Sequence, residues 1–434
     1  MSAWSSIAAL VTFAVSAALE GTDVTRGVVV EASSVQPNGD DRRRQLDVAW
    51  RLGRDVHGLG ALLQDLAASS DGRARLVELG RGRDGRPLHA LEVGPPGAPG
   101  LAVFPSSVHA APSSEAALHA ELDDLLDVAR ALVLGGGPGG PLAASLGGAR
   151  VVLVVGARPD LLAPALAPPP FDVTRNYPVD ADLAARAGGG PYPLACAETR
   201  AVAAWLDTDA ALFAAVLFGA APLDPGTLAT GDWASDREQE QLAALPAVVA
   251  ACGEVVPEDY PVHGGFARHA RLRAGLAVLG VPRSHGDGRE RRMVAALLDV
   301  LAAAPRLELA LSPRTRPVGA DLWQLEATLA NVGGLATGTS VHAHERRRRG
   351  VTFVVPGAEL VLAAVRTGDG AFEVVDVARG DDGRGMLRLG DLAAGGRVEV
   401  RLFVRTRDDL PVELGAVAPR AAATRSFVTL ARER

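Results

Sequence analysis

The sequence contains no lysine, few aromatic residues and only two cysteines among its 434 residues. The chain has 51 acidic side chains and 44 arginines. The sequence therefore indicates no dominant basic surface, which nucleic-acid binding requires. We therefore expect no nucleic-acid partner. Because aromatic residues make up only 4% of the chain, leucine, valine and alanine have to fill its core.

The two cysteines, Cys196 and Cys252, lie far apart in the chain. Their number and spacing fit neither a metal-binding motif nor the disulfide framework of a small secreted domain. The sequence leaves open whether they are free thiols or one disulfide. The serines after the first apolar strand have no Gly-x-Ser-x-Gly context, so a serine nucleophile is not expected.

A long apolar run of the kind that crosses a bilayer is also missing. Near the N terminus, Ile7–Leu19 is apolar but too short to span a membrane as a helix. The small residues Ser16–Ala18 suit a signal-peptide cleavage site, although no basic residue precedes the run. We predict a signal peptide at residues 1–20, hence a secreted or periplasmic protein, and an extended leader at 21–45. A packed N-terminal segment is the alternative.

Between residues 46 and 304, apolar strands alternate with amphipathic helices. Leu101–Val108 and Arg150–Val155 are continuous apolar runs typical of buried parallel strands. The turn Arg83–Arg86 contains the Asp-Gly pair typical of a hairpin. The helix that follows Ser114 carries its leucines on one face. This alternation predicts an α/β domain with a mixed or parallel sheet.

After Pro305 the pattern changes to a period of two residues. Leu307–Leu311, Leu325–Leu329 and Val398–Val404 alternate between apolar and other side chains, and turns rich in glycine and asparagine separate them. Short alternating strands are typical of a β-sandwich, here of about 120 residues. We therefore predict an α/β domain at 46–304 and a C-terminal β-sandwich at 305–434.

Several motifs of the α/β part resemble, in the same order, those of the zinc carboxypeptidase (metallocarboxypeptidase) family. Gly80–Leu91 is similar to the family's G-x-S-x-E-G-R-P turn, and Val108–Ala110 to the strand end that carries the first zinc ligand. Arg158–Asp160 resembles Asn-Pro-Asp, and Thr174–Pro178 resembles Asn-Arg-Asn-Phe-Pro. Pro193–Leu206 is similar to the family's Pro-x-x-x-x-Glu-Thr-Arg helix start.

The resemblance implies both a fold and a mechanism. The fold is a mixed sheet of about eight strands flanked by helices, with the active site at the strand ends. In the mechanism, His, Glu and His hold zinc and leave one position open for water. A further Glu acts as general base, one Arg stabilises the oxyanion, and another Arg holds the terminal carboxylate of the substrate.

Most of the positions that the family uses for catalysis carry other residues here. His109 matches the first zinc ligand, but Pro112 stands at the second position and Phe218 at the third. The position of the catalytic Glu is Val278, and Leu161–Pro170, where the oxyanion Arg is expected, contains no basic residue. A single histidine cannot hold zinc, and without zinc and a general base there is no route to hydrolysis.

The substrate-binding positions are better preserved. Arg175, flanked by Thr174 and Asn176, matches the Arg that holds the substrate's carboxylate, and Arg86 matches the Arg on the far side of the cleft. Arginine suits this role because its paired N–H donors fit a carboxylate. The alternative is that both arginines form structural ion pairs with nearby acidic residues, for which the sequence offers Asp160, Asp172 and Glu198.

The sequence therefore favours a carboxypeptidase-like protein that does not hydrolyse peptides, needs no cofactor and binds the C-termini of peptides or proteins through Arg175 and Arg86. One alternative is an active zinc carboxypeptidase with a rearranged metal site, in which Glu115 and a second histidine join His109. The candidates for that histidine are His119, His263 and His269. A second alternative is an adhesion or scaffold protein that acts through the β-sandwich.

Overall fold

The structure is a computed structural model. It describes a few residues between 44 and 50 and most of residues 56–430, with gaps at 109–113, 135–145, 147, 156–172, 180–183, 185–187, 210, 220–240, 243, 253–264, 282–288, 313–314, 339–349, 381–384, 407–410 and 419. The predicted signal peptide and most of the leader lie outside the described residues. Residues Arg43–Arg434 form one compact unit.

The α/β part contains a mixed sheet, as predicted. Its strands are β1 (Ala74–Arg81), β2 (Pro87–Val93), β3 (Gly100–Pro105), β4 (Arg150–Leu153), β5 (Leu212–Phe218) and β6 (Ala277–Val281). They are ordered β1-β2-β4-β3-β5-β6. β2 is antiparallel to both neighbours, whereas β4, β3, β5 and β6 run parallel. The described residues thus show six strands, fewer than the eight or so that the resemblance implies.

Helices cover both faces of this sheet. They are α1 (Val56–Ala68), α2 (Glu115–Leu134), α3 (Ala197–Thr208), α4 (Pro246–Cys252), α5 (Phe266–Leu272) and α6 (Arg289–Ala302). One hydrophobic cluster joins the sheet to α1, α2 and α6, and a second joins its other face to α3 and α5. Burial on both faces explains why the parallel strands are continuous apolar runs. Among the described helices, none combines the length and apolarity needed to cross a bilayer.

Two predicted strands end or begin elsewhere. β3 stops at Pro105 and continues as a 3-10 turn, Ser106–Val108, although the apolar run predicts a strand to residue 108. The Ser106 N–H leaves the sheet and binds the side chain of Glu121. The apolar run Leu272–Leu279 also predicts a strand, but the strand begins only at Ala277, because residue 272 ends helix α5. An apolar run by itself does not separate a buried helix from a buried strand.

The C-terminal part consists of two antiparallel sheets. Its strands are β7 (Leu307–Leu311), β8 (Arg316–Pro317), β9 (Leu322–Asn331), β10 (Thr352–Val354), β11 (Glu359–Thr367), β12 (Glu373–Val375), β13 (Val377–Arg379), β14 (Gly385–Arg388), β15 (Arg397–Arg405), β16 (Val412–Ala418) and β17 (Ala421–Val428). One sheet has the order β12-β11-β15-β9-β7 with β8 beside β9, and the other has the order β13-β14-β10-β16-β17. Apolar residues of both sheets, among them Trp323, Phe353 and Leu414, form one cluster.

The α/β part and the antiparallel part are joined by buried contacts. The Asn331 side chain accepts a hydrogen bond from the Arg306 N–H at 3.1 Å and donates to the Leu335 carbonyl at 2.7 Å. Leu335 itself is fully buried in the cluster of α1, α2 and α6. The buried Arg420 donates to the carbonyl of Phe213 in β5. The two parts therefore contact each other through Leu335 and Arg420.

Candidate functional site

The carboxyl ends of β3 and β5 meet at the edge of the sheet where the resemblance implies an active site. His109, the expected first zinc ligand, follows β3 and its 3-10 turn in sequence, but it and Pro112 lie outside the described residues. Glu121 of α2 reaches this edge and is only 5% exposed. Its Oε1 accepts the Ser106 N–H. Gly219 makes room for it, because a Cβ there would lie 2.8 Å from Oε1.

Sequence reasoning missed Glu121. The residue lies on the buried face of α2 beside Leu118, Leu122 and Leu125. A carboxylate on an apolar helix face is a recognisable signal, because buried charges are retained only with a partner. Here the partner is the backbone at the end of β3, so Glu121 fixes α2 to the strand that leads toward His109.

Phe218 and Val278, which the resemblance aligns with the third zinc ligand and the general base, are both buried in apolar surroundings. Phe218 ends β5 and is 2% exposed, and Val278 in β6 is fully buried. Phe218 pairs with Val281, whereas Val278 pairs with Ala215. Phe218 packs in the cluster of α1, α2 and α6, and Val278 packs in that of α3 and α5. The two side chains thus lie on opposite faces of the sheet, and neither has an atom that binds metal or a proton.

The described residues do not fit the zinc site of the family. Such a site needs three protein ligands of the His, Cys, Asp or Glu type. In the part of the chain that the structure describes, no three such side chains are grouped around one point, and Phe218 has no donor atom. Because His109 lies outside that part, the expectation that the protein binds no metal stays a prediction.

The alternative metal site requires Glu115 and one further histidine beside His109, and the described candidates differ in how close they lie to Glu115. His119 Nε2 lies 3.9 Å from Glu115 Oε1 at the start of α2. His269 is fully buried on α5, against the ring of Tyr177. Helices α2 and α5 cover opposite faces of the sheet, so His269 does not lie beside Glu115. Because His109 is outside the described residues, the combination of His109, Glu115 and His119 stays a hypothesis. His263 lies outside the described residues.

Arg86 lies in the tight turn between β1 and β2. Its Nε is 3.4 Å from Asp84 Oδ2, and its backbone N–H donates to Asp84 Oδ1 at 2.9 Å. The Arg86 side chain remains 41% exposed. The same turn is bound to α3, because the Arg83 N–H donates to Glu198 Oε1 at 3.0 Å. Arg86 therefore lies on a turn whose position depends on Glu198.

Arg175 ends a 3-10 turn, Val173–Arg175, and is half-buried. Its neighbours Thr174 and Asn176 are 4% and 1% exposed. The Asn176 amide donates to the carbonyls of Gly189 and Tyr192 at 2.7 and 2.9 Å. Both N–H groups of Asn176 are therefore used inside the protein. The roles of Arg175, Thr174 and Asn176 in ligand binding stay predictions.

Cys196 connects the Arg175 turn to Glu198. Its backbone N–H donates to Asn176 Oδ1 at 3.0 Å, and its Sγ donates to Glu198 Oε2 at 2.6 Å. Burial, reinforced by the Glu198 carboxylate, raises the pKa of Cys196 to about 11. Cys196 is a free thiol, which answers for this residue the question that the sequence leaves open. The high pKa keeps the thiol protonated at neutral pH, so it remains a hydrogen-bond donor.

A continuous chain of hydrogen bonds thus links the two arginine-bearing turns. It runs from the Arg83 N–H to Glu198, from Glu198 to Cys196, and from Cys196 to Asn176, the residue after Arg175. We call Asn176, Cys196 and Glu198 the buried relay. All three of its members are buried. The sequence suggests Glu198 only as an ion-pair partner, whereas the structure gives it backbone and thiol donors.

No family model and no curated protein matches the sequence. Among solved structures, the chain is similar to thrombin-activatable fibrinolysis inhibitor, with 12% identity, a TM-score of 0.44, and coverage of 57% of this chain and 73% of that one. It is also similar to carboxypeptidase A from Helicoverpa armigera, with 13% identity, a TM-score of 0.43, and coverage of 60% of this chain and 79% of that one. A metallo-carboxypeptidase from Burkholderia cenocepacia is similar with 17% identity, a TM-score of 0.38, and coverage of 56% of this chain and 68% of that one. Metallocarboxypeptidases are thus among its structural neighbours. Because these TM-scores are below 0.5, we base the functional proposal on the residues of the chain itself.

Proposed function

We propose that this chain is a carboxypeptidase-like protein that binds the C-terminal carboxylate of a peptide or protein through Arg175 and Arg86 and does not hydrolyse it. The observation that carries the proposal is the buried relay, which connects the turns of both arginines. Guanidinium groups on two turns that are linked in this way offer paired, charge-assisted N–H donors for a single carboxylate. Arg86 is 41% exposed, so a ligand arriving from solvent reaches it.

The absence of hydrolysis follows from the residue types at the catalytic positions. Phe218 and Val278 have hydrocarbon side chains at the positions that the resemblance assigns to a zinc ligand and to the general base. Other apolar side chains enclose both of them. A hydrolase of this type needs an activated water and a proton shuttle. Phe218 and Val278 provide neither a metal ligand nor a proton acceptor, so we propose a binding role that needs no metal.

Two further features belong to the proposal. We infer that residues 305–434 form a β-sandwich, because inward side chains of both antiparallel sheets build one core.

We also infer export from the cytoplasm, and this inference rests on the apolar run Ile7–Leu19 and the small residues at its end. Detecting the protein in a periplasmic or culture-medium fraction of its native cells checks the second point, and retention in the cytoplasm contradicts it.

Binding of a fluorescein-labelled hexapeptide pool with randomised C-terminal residues tests the proposed recognition. We expect the free-acid pool to bind about 10-fold or more tightly than the same pool amidated at its C terminus, because a charge-assisted bond contributes about 1.5–3 kcal/mol. Arg175→Gln and Arg86→Gln should each reduce this ratio. Arg200→Gln is the matched control, since Arg200 is an exposed arginine on α3. Equal affinity for the two pools contradicts the proposal.

Incubation with zinc and the free-acid peptides tests the absence of catalysis. We expect no release of C-terminal amino acids and no stoichiometric zinc in the purified protein. A turnover that depends on bound zinc, with one metal ion per chain, would overturn this part of the proposal and restore the active alternative.

A further inference from the structure

Glu198, the second residue of α3, contacts both segments that carry the predicted carboxylate-binding arginines. It is 1% exposed. One oxygen accepts the Arg83 N–H at 3.0 Å, and the other accepts the Cys196 thiol at 2.6 Å. A buried carboxylate costs several kcal/mol unless donors satisfy it, and the N-terminal turn of a helix favours negative charge. Its two oxygens are therefore committed to two different segments of the chain.

On one side, Glu198 fixes the tip of the β1–β2 hairpin. The hairpin lies directly on α3, because a Cβ at Gly80 would be 2.6 Å from the Cβ of Ala201. The hydrogen bond from the Arg83 N–H to Glu198 holds the turn of the hairpin against α3, three residues before Arg86. The position of the Arg86 backbone relative to α3 thus depends on where the Glu198 carboxylate points.

On the other side, Glu198 reaches the Arg175 turn through two intermediates. The Cys196 thiol donates to Glu198, and the Cys196 N–H donates to Asn176 Oδ1. Asn176 also receives the Leu194 N–H on its backbone carbonyl at 2.8 Å, so the turn is held by its side chain and its main chain. Because Asn176 directly follows Arg175, a shift of Cys196 moves Arg175.

We propose that Glu198, acting through Cys196 and Asn176, is a positioning residue that holds Arg86 and Arg175 at the separation that one carboxylate requires. This inference rests on the proposed function. Binding groups have to be held within about 0.5 Å of the productive geometry, and buried neighbours with satisfied hydrogen bonds provide that precision. The relay meets this condition, because it is excluded from water and each of its members has a hydrogen-bond partner.

Substitutions at Cys196 separate positioning from simple packing. Cys196→Ser keeps a donor toward Glu198, whereas Cys196→Val keeps the approximate volume without a donor. We measure the ratio of the Kd for the amidated hexapeptide pool to the Kd for the free-acid pool. The serine variant should keep this ratio within about threefold of the unmodified protein. The valine variant should lower it to about 1–3, since a displaced Arg175 turn loses the charge-assisted bond to the ligand carboxylate, which is worth about a factor of ten.

Glu198→Gln provides the second variant. An amide offers one acceptor where the carboxylate offers two, so one of the two donors, Arg83 N–H or Cys196 Sγ–H, loses its partner. The ratio should again fall to about 1–3. Thr199→Val is the matched control, because Thr199 is the buried neighbour of Glu198 on the same helix; it should leave the ratio unchanged. If Glu198→Gln does not fold, the pair of Cys196 variants decides the question.

The outcomes distinguish the inference from the function on which it rests. If the unmodified protein does not discriminate acid from amide, the proposed function fails and the positioning role fails with it. If the unmodified protein discriminates and Cys196→Val discriminates equally well, the function stands and the positioning role is overturned. A fall in Tm with an unchanged ratio likewise shows that the relay serves stability alone.

Discussion

Replacing Arg150 by methionine is expected to lower the free energy of unfolding by about 3–5 kcal/mol, because it removes the buried partner of a buried carboxylate. Arg150 begins β4 and is 4% exposed. Its guanidinium lies 3.2 Å from Glu92 Oε1, donates to the Ala98 carbonyl at 2.7 Å and binds Asp209. Glu92 is itself 2% exposed. Urea denaturation measures the change.

Arg75 provides a matched control for this prediction. It binds the same Glu92 carboxylate at 2.8 Å, but its side chain is 53% exposed. Arg75→Met should therefore cost only about 0–1 kcal/mol. The double variant Arg150→Met with Glu92→Leu should be less destabilised than Arg150→Met, because it also removes the buried charge that has lost its buried partner. Equal losses for Arg150→Met and Arg75→Met would contradict the role assigned to burial.

Acidification from pH 6.5 to pH 4 is expected to remove about 3 kcal/mol of stability through His269 alone. The ring is fully buried, and burial, aided by the nearby positive charge of Arg273, lowers its pKa from 6.5 to about 4. A backbone contact with Ala203 acts weakly in the opposite direction. Asp207 Oδ1 is 3.8 Å from His269 Nε2, and the Asp207 side chain is half exposed.

The direction of this effect follows from the proton balance. Above pH 6.5, His269 is neutral in the folded and unfolded chains and contributes nothing. Between pH 6.5 and about 4 the unfolded chain takes up a proton that the folded chain does not, so stability falls. Below about 4 both states are protonated, and the loss from this residue does not grow further.

Comparing the unmodified protein with His269→Leu isolates this contribution. Urea denaturation at several pH values should show that the variant loses about 3 kcal/mol less between pH 7 and pH 4. His119→Gln on α2 leaves His269 in place, so it should keep the full dependence. The same pH dependence in His269→Leu as in the unmodified protein would show that this histidine is not the titrating group.

Acidification should also weaken the proposed binding site. His269 lies with its ring centre 5.3 Å from that of Tyr177, and Tyr177 follows Asn176 of the buried relay. α5 also contributes Phe266, which packs against Tyr177 at 5.5 Å. A proton on His269 thus penalises the packing that supports the Arg175 turn. The acid instability and the binding proposal therefore concern neighbouring parts of one structure.

Much of the fold was predictable from local patterns. Alternating apolar strands and amphipathic helices before residue 305, and a period of two after it, correspond to the mixed sheet and to the two antiparallel sheets. The predicted ends of two strands were wrong where an apolar run fits a strand, a turn or a buried helix equally well. The apolar run through Val108 and the run from Leu272 read as strands, but Glu121 draws Ser106 out of the sheet and residue 272 still belongs to α5.

The sequence by itself determined which chemistry Phe218 and Val278 can offer, because neither phenylalanine nor valine has a metal-binding atom in any fold. Only the tertiary structure decided that Phe218 and Val278 lie on opposite faces of the sheet and that Glu198 connects the turns of Arg86 and Arg175. Arg83 and Glu198 are 115 residues apart in the chain. Local spacing carries no information on such a contact, because burial and the alignment of distant donors arise only when the sheet and helices pack together.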